Sequence, residues 1–190
     1  MENPILLPTI RNIAISGRIG SGSSTLAKRL ANVLHWKLLN GGDLFRQFTK
    51  DHGFAEGRSD QFDLDYEARV AKILHDEEHH IIESHLAGFD AQGIDGVFKI
   101  LVVCEDEDGD KTDIRIDRLV NRDQTTVESA KHEVFERERQ NLEKWRRLYA
   151  KGDNDWVYWK REYFDFVINT YSHNPEQSLA LVLEKMGYKE

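Results

Sequence analysis

Short apolar runs alternate along this chain with stretches in which leucines return every three or four positions, and that alternation predicts an α/β fold. Ile13-Ala14-Ile15 is unbroken, too short for a helix and followed by Ser16-Gly17, so it reads as a buried strand. From Ser23 to about His35, Leu26, Leu30 and Leu34 share one face while Lys28, Arg29 and Asn32 take the other, as in an amphipathic helix. Lys37-Leu38-Leu39 predicts a second strand, running into residues 40–46, a turn that opens a new helix with Asp43 as its N-cap. The spacing then predicts a helix from about Leu64 to His75, a third strand over residues 80–83, a turn over 93–96 and a fourth strand over 97–104. Helices cover about 113–151 with a break near 123–126, where Thr125 and Glu128 fit a capping box. A fifth strand spans 164–168, and Asn174-Pro175 opens a last helix that Gly187 closes. Residues 1–10 form a loose lead-in, 51–63 a polar connection, and 105–110 an exposed acidic turn whose spacing does not suit calcium.

Strands alternating with helices imply a mainly parallel sheet covered on both faces, with ligands at the carboxyl ends of its strands. Four marked stretches fall at those ends: residues 17–24, 40–46, 83–85 and 170–173. The first carries the sharpest signal. Gly17-Arg18-Ile19-Gly20-Ser21-Gly22-Ser23-Ser24-Thr25 matches the Walker A pattern at Gly17, Gly22 and Ser24, but Ser23 stands where that pattern has Lys. Glycines let successive amides turn inward, and the following helix adds the positive end of its dipole, so the loop suits a polyphosphate. Ser24 is placed to offer a hydroxyl to Mg2+.

The composition narrows what surrounds that loop. At 190 residues the chain is expected to form one domain, and its formal charge of -8 argues against a nucleic-acid partner, which needs a basic face. No apolar run approaches the ~20 residues that span a bilayer, so no membrane role is expected and a cytoplasmic location is the default. The single cysteine, Cys104, ends an apolar run and reads as a small buried hydrophobe.

Further chemistry is suggested by arginines. Arg115, Arg118 and Arg122 recur at helical spacing, followed by Arg137, Arg139, Arg146 and Arg147, and guanidinium forks suit phosphate oxygens. Glu83 ends a strand beside the loop, where a carboxylate can hold Mg2+ through water. His75-Asp76-Glu77-Glu78-His79 also matches His-x-x-Glu-His, a zinc-hydrolase alternative in which His75, His79 and Glu78 carry the chemistry.

Taken with the loop, Asn40-Gly41-Gly42-Asp43-Leu44-Phe45-Arg46 and Glu83-Ser84-His85-Leu86-Ala87-Gly88-Phe89 make the chain resemble the nucleoside monophosphate kinases, and among them the archaeal-type cytidylate kinases. The run from Arg115 to Arg122, the stretch from Arg137-Glu138 to Tyr149 and Tyr163-Phe164-Asp165-Phe166-Val167-Ile168-Asn169-Thr170 follow in the family's order, so the resemblance covers nearly the whole chain. It implies a P-loop kinase three-layer fold with a five-stranded parallel sheet, an acceptor-binding helical region at about 41–80 and a lid at about 115–150. It also implies transfer of the ATP γ-phosphate to CMP or dCMP with Mg2+, in an enzyme expected to be a monomer; a nucleotide-binding protein that has lost catalysis is the alternative.

Residue by residue, the resemblance implies that Gly17 to Thr25 cradle the donor phosphates, with Ser24 and Glu83 serving Mg2+. Gly42, Asp43 and Arg46 belong to the acceptor side, Arg46 on its phosphate, with Asp63, Arg69, Ser84 and His85 nearby. Arg115, Arg118, Arg122 and Arg137 belong to the lid, and Thr170 and Tyr171 lie near the donor base. Two departures stand out: Ser84-His85 replaces the family's Gly-Arg, and the acidic stretch 105–110 has no counterpart.

Overall fold

The computed structural model describes residues 3–43 and 59–189. Five parallel strands form the central sheet, in the order β2-β3-β1-β4-β7. They are β1 (Asn12–Gly17), β2 (Lys37–Asn40), β3 (His80–Glu83), β4 (Val97–Val103) and β7 (Phe166–Asn169). Strand β1 is buried at every position because it lies mid-sheet with neighbours on both sides, which is why its sequence is apolar without alternation. The register sets Glu83 beside Ile15 on one side and beside Asn40 on the other, so the ends of β1, β2 and β3 finish together.

Successive side chains of each strand face opposite layers. On one face Ile13, Ile15, Ile81, Ile100 and Val102 pack against Leu26, Leu30 and Leu34 of α1 (Ser23–Leu34) and Val182 of α7 (Pro175–Lys185). On the other, Ala14 and Ile82 meet Tyr66, Val70 and Leu74 of α2 (Asp60–Asp76) and Ala87 of the short α3 (Ala87–Asp90). Beyond the sheet lie α4 (Thr112–Asp123), α5 (Val127–His132), a π-helical turn (Glu133–Arg137) and α6 (Glu138–Tyr149). An aromatic cluster of Trp145, Trp156 and Tyr158 with Leu86 ties this helical arm to the sheet.

Several expected boundaries move, each for a local reason. Helix α2 begins at Asp60 rather than Leu64 because the Ser59 hydroxyl accepts the Phe62 amide at 3.1 Å, and two carboxylates, Asp60 and Asp63, sit in its first turn. Asn40, not Asp43, caps the turn after β2: its Oδ1 accepts the Asp43 amide at 3.0 Å, and residues 41–43 are already helical. Thr126, not Thr125, caps α5, accepting from the Ser129 amide. The stretch expected as a solvated acidic turn is a β-hairpin of β5 (Glu105–Asp106) and β6 (Gly109–Asp110), whose carboxylates are engaged: Glu105 with Arg161, Asp106 with Lys111, and Asp110 with Arg18 and Arg115. The capping box that opens α7 is formed by Asn174 and Gln177. Most of the polar connection expected over 51–63, and Arg46, lie outside the described residues.

Candidate active site

The loop after β1 turns through two left-handed glycines, Gly20 at φ +79° and Gly22 at φ +101°. A side chain at Gly20 is excluded twice over, since its Cβ would also stand 2.6 Å from the Arg115 carbonyl oxygen. Helix α1 then starts with no side-chain cap and no acidic residue in its first turn. The Thr25 amide bonds Gly22 O at 3.1 Å, while those of Ser23 and Ser24 are placed for an external acceptor, and the dipole favours an anion there. The carbonyl side of the loop, in contrast, is held. His85 Nδ1 donates to Gly17 O at 3.0 Å, Arg115 Nη1 to Ile19 O at 2.7 Å, and Arg118 Nη1 to Ser21 O at 3.2 Å. Because a carbonyl only accepts, His85 carries its proton on Nδ1. The Thr170 hydroxyl adds a 2.6 Å bond to Ser21 O, while its own backbone carbonyl takes Arg118 Nη2 at 2.7 Å.

At the head of the loop Glu83 is buried and accepts hydrogen bonds from Ser23 Oγ at 2.6 Å, Ser24 Oγ at 3.1 Å and Asn40 Nδ2. Burial pushes its pKa up, and the two serine hydroxyls pull the other way; among charged neighbours Asp43 raises it and Arg122 lowers it. A desolvated carboxylate beside a serine hydroxyl is a hard oxygen donor set, which fits Mg2+. Ser23, at the Walker Lys position, spends its hydroxyl on Glu83.

The other residues singled out in the sequence divide between this site and its supports. Arg115 and Arg118, expected to close over the reacting phosphate, instead grip the loop from its carbonyl side, and the Arg115 side chain is 1% exposed. Arg122 bonds its neighbour Asp123 and remains half-exposed, and Arg137, in the π turn, pairs with Glu133. Arg18 lies between Asp110 and Glu138 and over the Trp159 ring, 4.8 Å from its centroid. Asp63 is fully buried against Lys144 Nζ at 2.5 Å, whereas Arg69 is exposed on α2 and makes no ion pair among the described residues. His85, expected near an acceptor phosphate, packs its ring on Trp145 and Tyr158, with centroids 5.4 and 5.3 Å apart, because its Nδ1–H is committed to the loop. Tyr171 is exposed, with Lys111 Nζ 5.6 Å from its ring centroid. Gly42 and Asp43 lie in the helical turn after Asn40, and Ser84 donates its amide to Ile15 O at 3.2 Å.

The zinc alternative is not supported. Helix α2 ends at Asp76, so His75 and His79 do not share a helical face; His75 bonds Asp76 and His79 packs tilted against the Trp36 ring. Among the described residues no three His, Cys, Asp or Glu side chains gather to hold a metal. Cys104 is buried and burial pushes its thiol pKa up, as suits an inert core residue. Asp110, Glu138 and Lys144 are not singled out by the sequence, and Asn40 only as part of the stretch 40–46, because each is an ordinary polar residue until the fold supplies its partner.

The arrangement also has known counterparts. The family model described as an AAA domain matches residues 13–146. The cytidylate kinase of Haloarcula marismortui is 30% identical over 178 residues, covering 90% of this chain and 86% of that protein. This chain belongs to the cytidylate kinase family of nucleoside monophosphate kinases. The kinase of Methanosarcina mazei is similar at 29% identity, covering 90% of this chain and 93% of its own length. In fold, this nucleoside monophosphate kinase is similar to a shikimate kinase from Acinetobacter baumannii, with a TM-score of 0.56 at 14% identity over 94% of both chains. It is a P-loop phosphotransferase that works on small nucleotides with ATP and Mg2+. No helix among its described residues is long and apolar enough to cross a membrane.

Proposed function

We propose that this kinase transfers the γ-phosphate of ATP to CMP or dCMP by direct in-line displacement. The observation that carries the reading is the pairing of an uncapped helix N-terminus behind a glycine loop with a buried Glu83–Ser24 oxygen cluster at its head. The pyrimidine acceptor is supported by relatives named cytidylate kinase across 90% of the chain.

In this reading the loop from Gly17 to Thr25 cradles the donor phosphates through the amides not spent within it, as those of Ser21 and Thr25 are, and Ser24 and Glu83 hold hydrated Mg2+. When bound, Mg2+ neutralises charge on the donor phosphates. Ser23 and Asn40 orient Glu83 through their hydrogen bonds to its carboxylate. Arg122, which bonds Asp123 and lies within electrostatic reach of Glu83, and Arg137, which pairs with Glu133, are the lid side chains assigned to the transferring phosphoryl group. Arg46 takes the acceptor phosphate, with Gly42 and Asp43 beside it; the family's second arginine at this site is His85 here, and it supports the loop instead. Thr170 and Tyr171 flank the donor base. The protein's share of the catalysis is positioning and charge compensation, with no covalent intermediate.

Diphosphate formation from ATP-Mg2+ is the test, with CMP, dCMP, UMP, AMP, GMP and dTMP offered in parallel. Turnover preferring CMP or dCMP is expected. ATP binding with no turnover of either cytidylate would overturn the substrate assignment. Arg46→Ala is expected to raise the acceptor KM at least tenfold with the ATP KM little changed.

A further inference from the structure

Four charged side chains from four separate elements meet behind the phosphate loop. Arg18 comes from the loop, Asp110 from the hairpin, Arg115 from α4 and Glu138 from the start of α6. Signs alternate around the group. Asp110 Oδ1 lies 3.2 Å from Arg18 Nη1, and its Oδ2 lies 3.0 Å from Arg115 Nη2. Glu138 Oε1 accepts from Arg18 Nε at 3.0 Å, and Oε2 accepts from Arg115 Nη1 at 3.1 Å. Two guanidiniums and two carboxylates balance, which is what allows Arg115 and Glu138 to sit at 1% and 8% side-chain exposure.

The consequence for the loop follows from peptide geometry. In a planar trans peptide the C=O and the next N–H point in opposite directions. The bond from Arg115 to Ile19 O therefore turns the Gly20 amide the other way, away from the Arg115 guanidinium. The chain passes close to α4 here, since a Cβ at Gly20 would stand 2.6 Å from Arg115 O. His85 on Gly17 O and Arg118 on Ser21 O act alike on the amides of Arg18 and Gly22. A loop whose Lys position holds Ser23 relies on these amides for its hold on phosphate.

We infer that Glu138 is a positioning residue for the donor: by neutralising and orienting Arg115 and Arg18 together, it fixes the Ile19–Gly20 peptide in its phosphate-binding orientation. Asp110, from the hairpin that the family resemblance left without a counterpart, is the second carboxylate of the same device. This inference rests on the reading of the loop as the donor-phosphate site and is independent of which monophosphate is the acceptor.

The test compares Glu138→Gln, Asp110→Asn and, as a control for destabilisation alone, Val182→Ala, which removes buried volume on α7 away from these four side chains. ATP-Mg2+ affinity is measured by calorimetric titration of the full chain at 25 °C, beside thermal midpoints and the KM for each substrate. Expected for Glu138→Gln is a loss of ATP affinity of at least tenfold with the acceptor KM within about twofold. Asp110→Asn is expected to lose about threefold or more, and Val182→Ala to bind ATP like the parent despite a lowered midpoint. ATP affinity within twofold of the parent in a folded Glu138→Gln chain, or equal weakening by Val182→Ala, would overturn the inference. Should Glu138→Gln fail to fold, Asp110→Asn decides: parental affinity there overturns it. A parent chain that binds ATP but turns over no cytidylate would refute the proposed substrate and leave this inference standing.

Discussion

Replacement of Asp90 by Asn should stabilise the protein, and more so as the pH rises. Asp90 closes α3 and bonds Glu67 of α2, with its Oδ2 shielded from solvent. Burial raises its pKa from 3.8 to about 6, and the hydrogen bond from Glu67 only partly opposes this. The sign follows from the protons held in each state. Between these two values the folded chain keeps a proton that the unfolded chain has released, so the stabilisation is complete below about 4 and lost as the pH climbs through about 6. A shift of about 2 pH units amounts to about 3 kcal/mol, of which about half disappears between pH 5 and pH 7.5. In a chain of this size that is a fall of about 3–6 °C in thermal midpoint. An Asn carboxamide keeps an oxygen that accepts from Glu67, without a titrating charge. The midpoint of Asp90→Asn minus that of the parent should therefore grow by about 3–6 °C from pH 5 to pH 7.5, read by thermal unfolding in matched buffers. A difference that is the same at both pH values would refute the reasoning, because it would mean that Asp90 titrates alike in the folded and unfolded chains.

Other substitutions probe the site and its supports. Glu83→Gln removes the one carboxylate among Ser23, Ser24 and Asn40, and should lower kcat by about a hundredfold or more while raising the Mg2+ concentration for half-maximal rate; a parental Mg2+ dependence would count against its role. Gly88→Ala would set a methyl 2.1 Å from Phe164 Cε1, and should lower stability by about 1–3 kcal/mol in urea unfolding; a parental midpoint would show that the Phe164 ring yields freely.

The loop itself was legible because its requirement is local: glycines at φ +79° and +101° followed by an uncapped helix are written in adjacent residues. The five strands and their helical cover were equally plain, since periods of burial and exposure follow from which face each residue presents. Glu83 was foreseen as a strand-end carboxylate, yet its surroundings were not. That Ser23 and Asn40 both turn to it depends on the parallel register that sets Asn40 and Ile15 on either side of Glu83, a fact about strands far apart in the chain.

The arginines show the limit most sharply. Helical spacing placed Arg115, Arg118 and Arg122 near one face, but it could not say that the first two would grip loop carbonyls while the third stayed by Asp123. For Arg115 the partners are Glu138 and Asp110, 23 residues after it and five before it, whose negative charge makes a buried guanidinium tolerable. The acidic stretch 105–110 likewise looked like a solvated turn until Arg18 and Arg115 met its last carboxylate. Local pattern determines where a strand, a helix or a phosphate loop forms; only the packed fold decides which charges share a low-dielectric space, because a carboxylate's partner is set by distance in three dimensions and not along the chain.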